Sequence, residues 1–427
     1  MNVEIVDTLK NCLGMALAAY RAHAHLLEPY EAWHRAGPGS WQSAFEDRPS
    51  FLQISVRTRD ELISIGGEFT RVLLRHHPEY GGLAGPASGK RSNRIASPDH
   101  LIGSLVLNYW RRQNSFDADD SVVDAVVRDF SAFVDNPNIR LRAHAELYNF
   151  EMPRDEIALP RGIRIRRITE DEVSKLYGGF LWSGRGRALS GIPEFVLNTE
   201  FEDCMVFGDV AAPQSGALQD VRDLFNRAIL AMRTFKMGRV GYSFVHLDSW
   251  PSNFLMMPSV GLGDLHVPFG VYHLNEAEIT PFLTHAGYVF QTLPAALETA
   301  CSRLADAESR SRPQDAIVDA VIGLEAILLA SMEEEGRHGE LRYRFSIHYS
   351  TFFFRPEARV DAFRTARRMY DLRSLIAHGG EVPAGLDAAA QEARDMLRMV
   401  VKTYLPCGNK TPYRDQPIWD RAYFGLT

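Results

Sequence analysis

The stretch Tyr370-Asp371-Leu372-Arg373-Ser374-Leu375-Ile376-Ala377-His378-Gly379-Gly380 brings a guanidinium, a hydroxyl and an imidazole together in one short run. Arginine carries a fixed charge and a planar fork that suits phosphate, and histidine exchanges protons near neutral pH. Together they are the minimum needed to cleave a phosphodiester without a metal. On an ideal helix, residues five apart are rotated by roughly 140°, so Arg373 and His378 do not share a face. Gly379 and Gly380 terminate helices and tolerate positive φ. A helix ending at Ala377 or His378 would therefore release the imidazole from strict phase and let it turn back toward the guanidinium. The same pattern also fits a plain helix C-terminus whose cation offsets the dipole.

Five helices are expected to carry and surround this stretch: Leu293 to Glu308, Gln314 to Ser331 with Pro313 at its start, Leu341 to Phe353, Pro356 to Ala377, and Leu386 to Tyr404. Their short connections argue for an up-and-down bundle. Ile317, Val318, Val321, Ile322, Leu324, Ile327 and Leu328 make the second helix apolar on most sides, which places it at the centre. Glu325 lies inside that run. It needs either a solvent edge or a cationic partner, because an unpaired buried charge is costly, and Arg303 and Arg373 are the candidates. Between Arg337 and His378 stand nine arginines, no lysine and four carboxylates, in a chain of net charge −7. Tyr343, Phe345, Tyr349 and Tyr370 are interleaved with them. Arginines among aromatics are what single-stranded RNA sites use, and Arg364, Arg367 and Arg368 are the candidate phosphate contacts.

The run from Asp315 to Asp319 through Gly323-Leu324-Glu325-Ala326-Ile327-Leu328, followed by Tyr370-Asp371-Leu372-Arg373-Ser374 and His378-Gly379, resembles the Apea-like HEPN domains over roughly Leu283 to Pro406. The resemblance implies a helical bundle that forms a homodimer with two Arg-His motifs facing each other. It also implies a metal-independent endoribonuclease, without a cofactor, of the kind that serves in bacterial antiphage defence, abortive infection or toxin activity. Carried onto this chain, the catalytic residues are Arg373, His378 and Ser374, supported by Glu325, Tyr370 and Asp371. Ser374 departs from the Asn, Asp or His common at that place in the wider family. A 2′-hydroxyl would attack the adjacent phosphorus, leaving a 2′,3′-cyclic phosphate and a 5′-hydroxyl, with His378 moving protons and Arg373 holding the phosphoryl charge. Rival readings are a non-catalytic scaffold or sensor that only dimerises, and a toxin silenced by an antitoxin or released by a trigger protein.

The rest of the chain gives context. Its 427 residues, 45% hydrophobic and 24% charged, describe a globular protein of two or three domains. The expected class is mainly α with an α+β middle module. Its segments are a helical region over 1–150, the α+β module over 151–282, the HEPN-like bundle over 283–406 and a tail over 407–427. Helices are expected at Val6 to Leu27, from Thr58 to His77, at Pro98 to Arg112 and at Ser121 to Val134. A hairpin is expected at Glu156 to Arg166, a capping box at Thr169 and Glu172, and strands at Glu202 to Phe207, Val240 to Leu247 and Leu265 to His273. Helices are also expected at Leu218 to Met237 and, capped by Asn275 and Glu278, just after it. Arg164, Arg166 and Arg167 read as an edge-protecting basic strand face rather than an RNA contact. Gly81 to Ser92 fails the P-loop spacing, because Ala84 and Arg91 stand where glycine and the Mg²⁺-binding hydroxyl are needed. It reads as a loop whose Lys90, Arg91 and Arg94 are solvated. Neither His23 and His25 nor His76 and His77 have ligand-spaced neighbours, so no metal is expected. Four dispersed cysteines, no signal-peptide pattern and no apolar stretch of bilayer length lead to a cytoplasmic, non-membrane expectation.

Overall fold

The computed structural model describes residues 2–37, 40–76, 98–135, 138–170, 172–173, 193–204, 215–242, 244–249, 260–261, 271–330 and 340–407. The chain is mainly α-helical with small β-sheets. It forms two compact units, each assembled from three segments: Met1–Glu146, Arg166–Asp223 and Phe244–Leu262 in one, and Leu147–Ile165, Leu224–Ser243 and Gly263–Thr427 in the other. No described helix is long and apolar enough to cross a membrane. The Gly81 to Ser92 segment, with its basic residues, lies outside the described residues, as do His77 and the 408–427 tail.

In chain order the elements begin with α1 (Val3–Ala22), β1 (Leu27–Gly37), β2 (Ser40–Pro49), α2 (Phe51–Arg57), α3 (Arg59–His76), α4 (Pro98–Gln113), α5 (Asp120–Asp135) and β3 (Asn138–Tyr148). Next come β4 (Phe150–Glu151), β5 (Glu156–Ala158), β6 (Arg164–Arg167), β7 (Phe195–Cys204), α6 (Ser215–Phe235), β8 (Gly241–Tyr242), β9 (Phe244–Ser249), β10 (Val260–Gly261) and β11 (Tyr272–His273). The last six helices are α7 (Glu276–Val289), α8 (Ala295–Ser309), α9 (Pro313–Leu328), α10 (Leu341–Phe353), α11 (Arg359–Ala377) and α12 (Asp387–Tyr404).

In the first unit, Ile5, Leu9, Cys12, Leu13, Ala16, Leu17 and Tyr20 form one buried face of α1, packed with α3, α4 and α5 into a common core. Two departures from the expected helical run stand out. Residues 27–49 form an antiparallel hairpin, with Leu27 opposite Pro49 and Arg35 opposite Trp41. Gly37-Pro38-Gly39 separates two runs rich in aromatic residues and bounded by prolines, which favours strands over helix. Residues 138–148 then form β3, in a sheet ordered β10-β9-β3-β7. Ala143, Ala145 and Leu147 alternate with Arg142, His144 and Glu146, which is the period of a strand. Thr169 and Glu172 make the expected capping box, since each backbone N–H donates to the other's side chain, at 3.0 and 3.3 Å. Arg166 forks onto Glu172 and Arg167 pairs with Glu194, so these guanidiniums are engaged within the unit.

In the second unit the β5–β6 connection turns at Arg161 (φ 59°) and Gly162 (φ 76°), and Leu159 N–H donates to Ile163 O at 2.8 Å. A reciprocal Asn275–Glu278 capping box starts α7, and Pro313 occupies the first turn of α9. Helix α9 packs against α8, α10, α11 and α12, the central place its all-round apolarity predicts. Gly323 permits a close approach of α9 to α12 and α8. A Cβ built there would stand 2.6 Å from Leu397 Cδ2 and 3.1 Å from Arg303 Cβ.

Candidate active site

Helix α11 sorts its residues by angle. Ala362, Ala366 and Met369 form its buried stripe, and Arg373 continues that stripe one turn further on. The guanidinium therefore points inward, toward α9, where Arg373 Nη2 donates to Glu325 Oε2 at 3.4 Å. Arg303, the other candidate partner, instead pairs with Asp319 at 2.9 Å, and Arg310 completes that group at 2.7 Å. The Arg373 and Glu325 side chains are 28% and 20% exposed, so the pair is half-buried rather than in the core. Burial raises the Glu325 carboxyl pKa and Arg373 opposes the rise. Arg373 Nε is enclosed and has no hydrogen-bond acceptor among the described residues.

Tyr370 lies near this pair. Its ring lies 5.4 Å from that of Phe345. Burial, followed by the charge of Glu325, raises its hydroxyl pKa. Ser374 is half-buried one position beyond Arg373, and its carbonyl accepts the His378 N–H at 3.1 Å. Asp371 is exposed and pairs with Arg342 of α10 at 2.7 Å.

The helix ends as the two glycines imply. Gly379 adopts φ +69°, its N–H donates to Ile376 O at 3.2 Å, and Gly380 N–H donates to Leu375 O at 2.9 Å, a Schellman motif. The positive φ falls after His378, however, and His378 itself has φ −95° and ψ 6°. Its Cβ therefore stays close to helical phase, about 140° around the axis from Arg373. The imidazole is exposed, and among the described residues no hydrogen bond or ion pair links it to Arg373. The turn back toward the guanidinium is not made, because the glycine conformation acts one residue too late to redirect the side chain.

Of the candidate phosphate contacts, Arg368 is tied to Glu392 of α12, whereas Arg364 only meets Asp361 at 3.5 Å with both side chains highly exposed. Arg367 is exposed with no acidic partner among the described residues. Sequence reasoning also passed over a pair in the first unit. His144 and His246 face each other across β3 and β9, with ring centroids 5.2 Å apart and planes 21° apart. The repeated His-x-acid pattern, His144-Ala145-Glu146 and His246-Leu247-Asp248, is the signal that could have found them. His76 binds Glu4 at 2.6 Å, and the His23 and His25 rings lie 6.1 Å apart, tilted by 44°. Among the described residues no group of three or more His, Cys, Asp or Glu is placed to hold a metal ion.

Comparison of the chain with protein-family models, with curated proteins and with solved structures finds no match.

Proposed function

We propose that the chain is a HEPN-type endoribonuclease that cleaves RNA by 2′-hydroxyl attack, with Arg373 as the phosphate-binding cation and His378 as the proton-transfer group. The observation that carries this reading is the state of Arg373. It is held by a long contact to Glu325, and its side chain is 28% exposed. A scissile phosphate would meet the exposed side of the guanidinium, which would hold the charge that builds on the phosphoryl oxygens. Glu325 and Tyr370 act as positioning residues, and the Ser374 hydroxyl is one residue away for a phosphate oxygen.

Because Arg373 and His378 point to different sides of α11, one chain does not present both to one phosphorus. Two copies related by a two-fold axis would complete the site. Arg373 of one copy would hold the phosphoryl oxygens, and His378 of its mate would take the proton from the 2′-hydroxyl and pass it to the 5′-oxygen leaving group. The test is purified protein with end-labelled RNA in EDTA. The expected result is products with 2′,3′-cyclic phosphate ends, lost in His378→Ala and reduced about 10²–10³-fold in Arg373→Ala, with DNA left intact. A dimer that leaves RNA whole would replace the enzyme by a scaffold. Activity silenced by a co-expressed neighbouring protein would place the enzyme in a toxin–antitoxin pair.

A further inference from the structure

His378 shares its side of α11 with two arginines. Taking 100° per residue, Arg364, Arg367, Asp371 and His378 fall within about 60° of one another, on the side of the helix away from the buried stripe of Ala362, Ala366 and Met369. All four are exposed. The one carboxylate among them, Asp371, is neutralised by Arg342 at 2.7 Å. The Arg364–Asp361 contact, at 3.5 Å between side chains 75% and 87% exposed, is too open to hold its guanidinium against a phosphate. Arg367 has no acidic partner among the described residues. The stripe is thus a row of available guanidiniums ending at the imidazole. At 1.5 Å per residue, Arg367 and Arg364 stand about 16 and 21 Å along the axis from His378. An excess of arginine over acid in this segment, within an acidic chain, marks the stripe as a local polyanion surface.

We infer that a single strand of RNA lies along this outer stripe of α11, with the reacting phosphodiester at the His378 end and phosphates on one side of it held by Arg367 and Arg364. The inference rests on the nuclease reading for the identity of the strand. It adds the strand's path, the two residues that hold it, and a footprint of a few nucleotides to one side of the cut. Arg368, whose guanidinium is tied to Glu392, lies outside the path.

The experiment measures binding of a 2′-O-methyl oligonucleotide, which has no free 2′-hydroxyl to react, to the full chain over a range of salt. Each phosphate contact on a single strand contributes about 0.7 to the slope of log affinity against log salt. Arg367→Gln and Arg364→Gln are each expected to lower the slope by about 0.7, and the double variant by about 1.4. Arg355→Gln removes the same charge from an exposed arginine that precedes α11, and it should leave the slope unchanged. Glutamine has nearly the helix propensity of arginine, so all variants should keep the wild-type helical signal. Unchanged slopes in the stripe variants, an equal loss in Arg355→Gln, or no salt-dependent binding by the wild type would each overturn the strand path. Cleavage that is lost in His378→Ala while the slopes stay constant keeps the nuclease and removes the path. Slopes that fall as stated for a protein that never cleaves RNA keep the path and remove the nuclease.

Discussion

Two buried imidazoles in the second unit should make that unit acid-sensitive. His285 of α7 is 7% exposed, and its Nε2 lies 2.8 Å from Thr234 Oγ1. The Thr234 hydroxyl itself donates to Leu230 O at 2.7 Å, so its oxygen is left to accept the imidazole N–H. Burial, assisted by Lys402, pushes the His285 pKa down to about 4. His348 of α10 is 1% exposed, and its Nδ1 meets Leu328 O at 2.5 Å. That bond favours the charged form, yet burial outweighs it and the pKa again falls to about 4. In the unfolded chain both rings titrate near 6.5, so between that value and about 4 the unfolded state binds more protons than the folded one. Stability is therefore fully present above about pH 6.5, falls through the window, and loses no more from these groups below about pH 4. The linkage relation gives about 2 kcal/mol lost per ring at pH 5, and about 4 kcal/mol for the two. Urea unfolding at pH 7.5 and pH 5 should show this loss in the wild type and lack it in the His285→Gln/His348→Gln variant. Imidazole proton NMR should find both rings neutral at pH 5. Parallel pH profiles in wild type and variant, or rings that titrate near 6.5, would refute the reasoning.

Two more outcomes follow from the packing. Burial raises the Glu172 carboxyl pKa, but the Arg166 fork and the Thr169 N–H outweigh it and hold the group at about 2. The pair therefore stabilises the fold above about pH 4.5 and loses its effect as pH falls toward 2. Glu172→Gln should cost about 3 kcal/mol at pH 7 in urea unfolding, with variant and wild type converging near pH 2. Gly323→Ala and Gly287→Ala should shift the melting temperature in opposite directions. The first forces the buried Leu397 and the Arg303 Cβ to move, an overpacking cost of about 1–3 kcal/mol, while the second meets nothing within 4 Å and gains up to about 1 kcal/mol of helix propensity.

Sequence punctuation located the C-terminal helices well. Leu341 to Phe353 emerges with the expected bounds, and Pro313, the Asn275–Glu278 box and Gly379 each act at the helix end where they stand. These are local signals, governed by backbone groups within a few residues. The β1–β2 hairpin and β3 lie between stretches of strong helical periodicity, and their own signals, turn residues and two-residue alternation, are short and local by comparison. In β3 the second difficulty is burial on both faces. His144 and Glu146 are as inaccessible as Ala143 and Ala145, so the polar half of the alternation does not mark solvent.

The candidate site divides along the same line. That Glu325 needs a cation could be read from its apolar neighbours. Which cation it takes could not, because the choice depends on how α11 is rotated against α9 and on the prior claim of Asp319 over Arg303. The direction of His378 is harder still. A glycine pair predicts that the helix stops, but whether the last side chain is redirected depends on which residue carries the positive φ, and here it is Gly379. That one-residue offset has a chemical consequence. It leaves Arg373 half-buried against α9 and His378 facing solvent, so any reaction that needs both must bring the second group from elsewhere. The inward face of α11 can organise charge and the outward face can meet a substrate or a second copy. The proposed chemistry depends on joining those two faces, not on the Arg-His spacing within one chain.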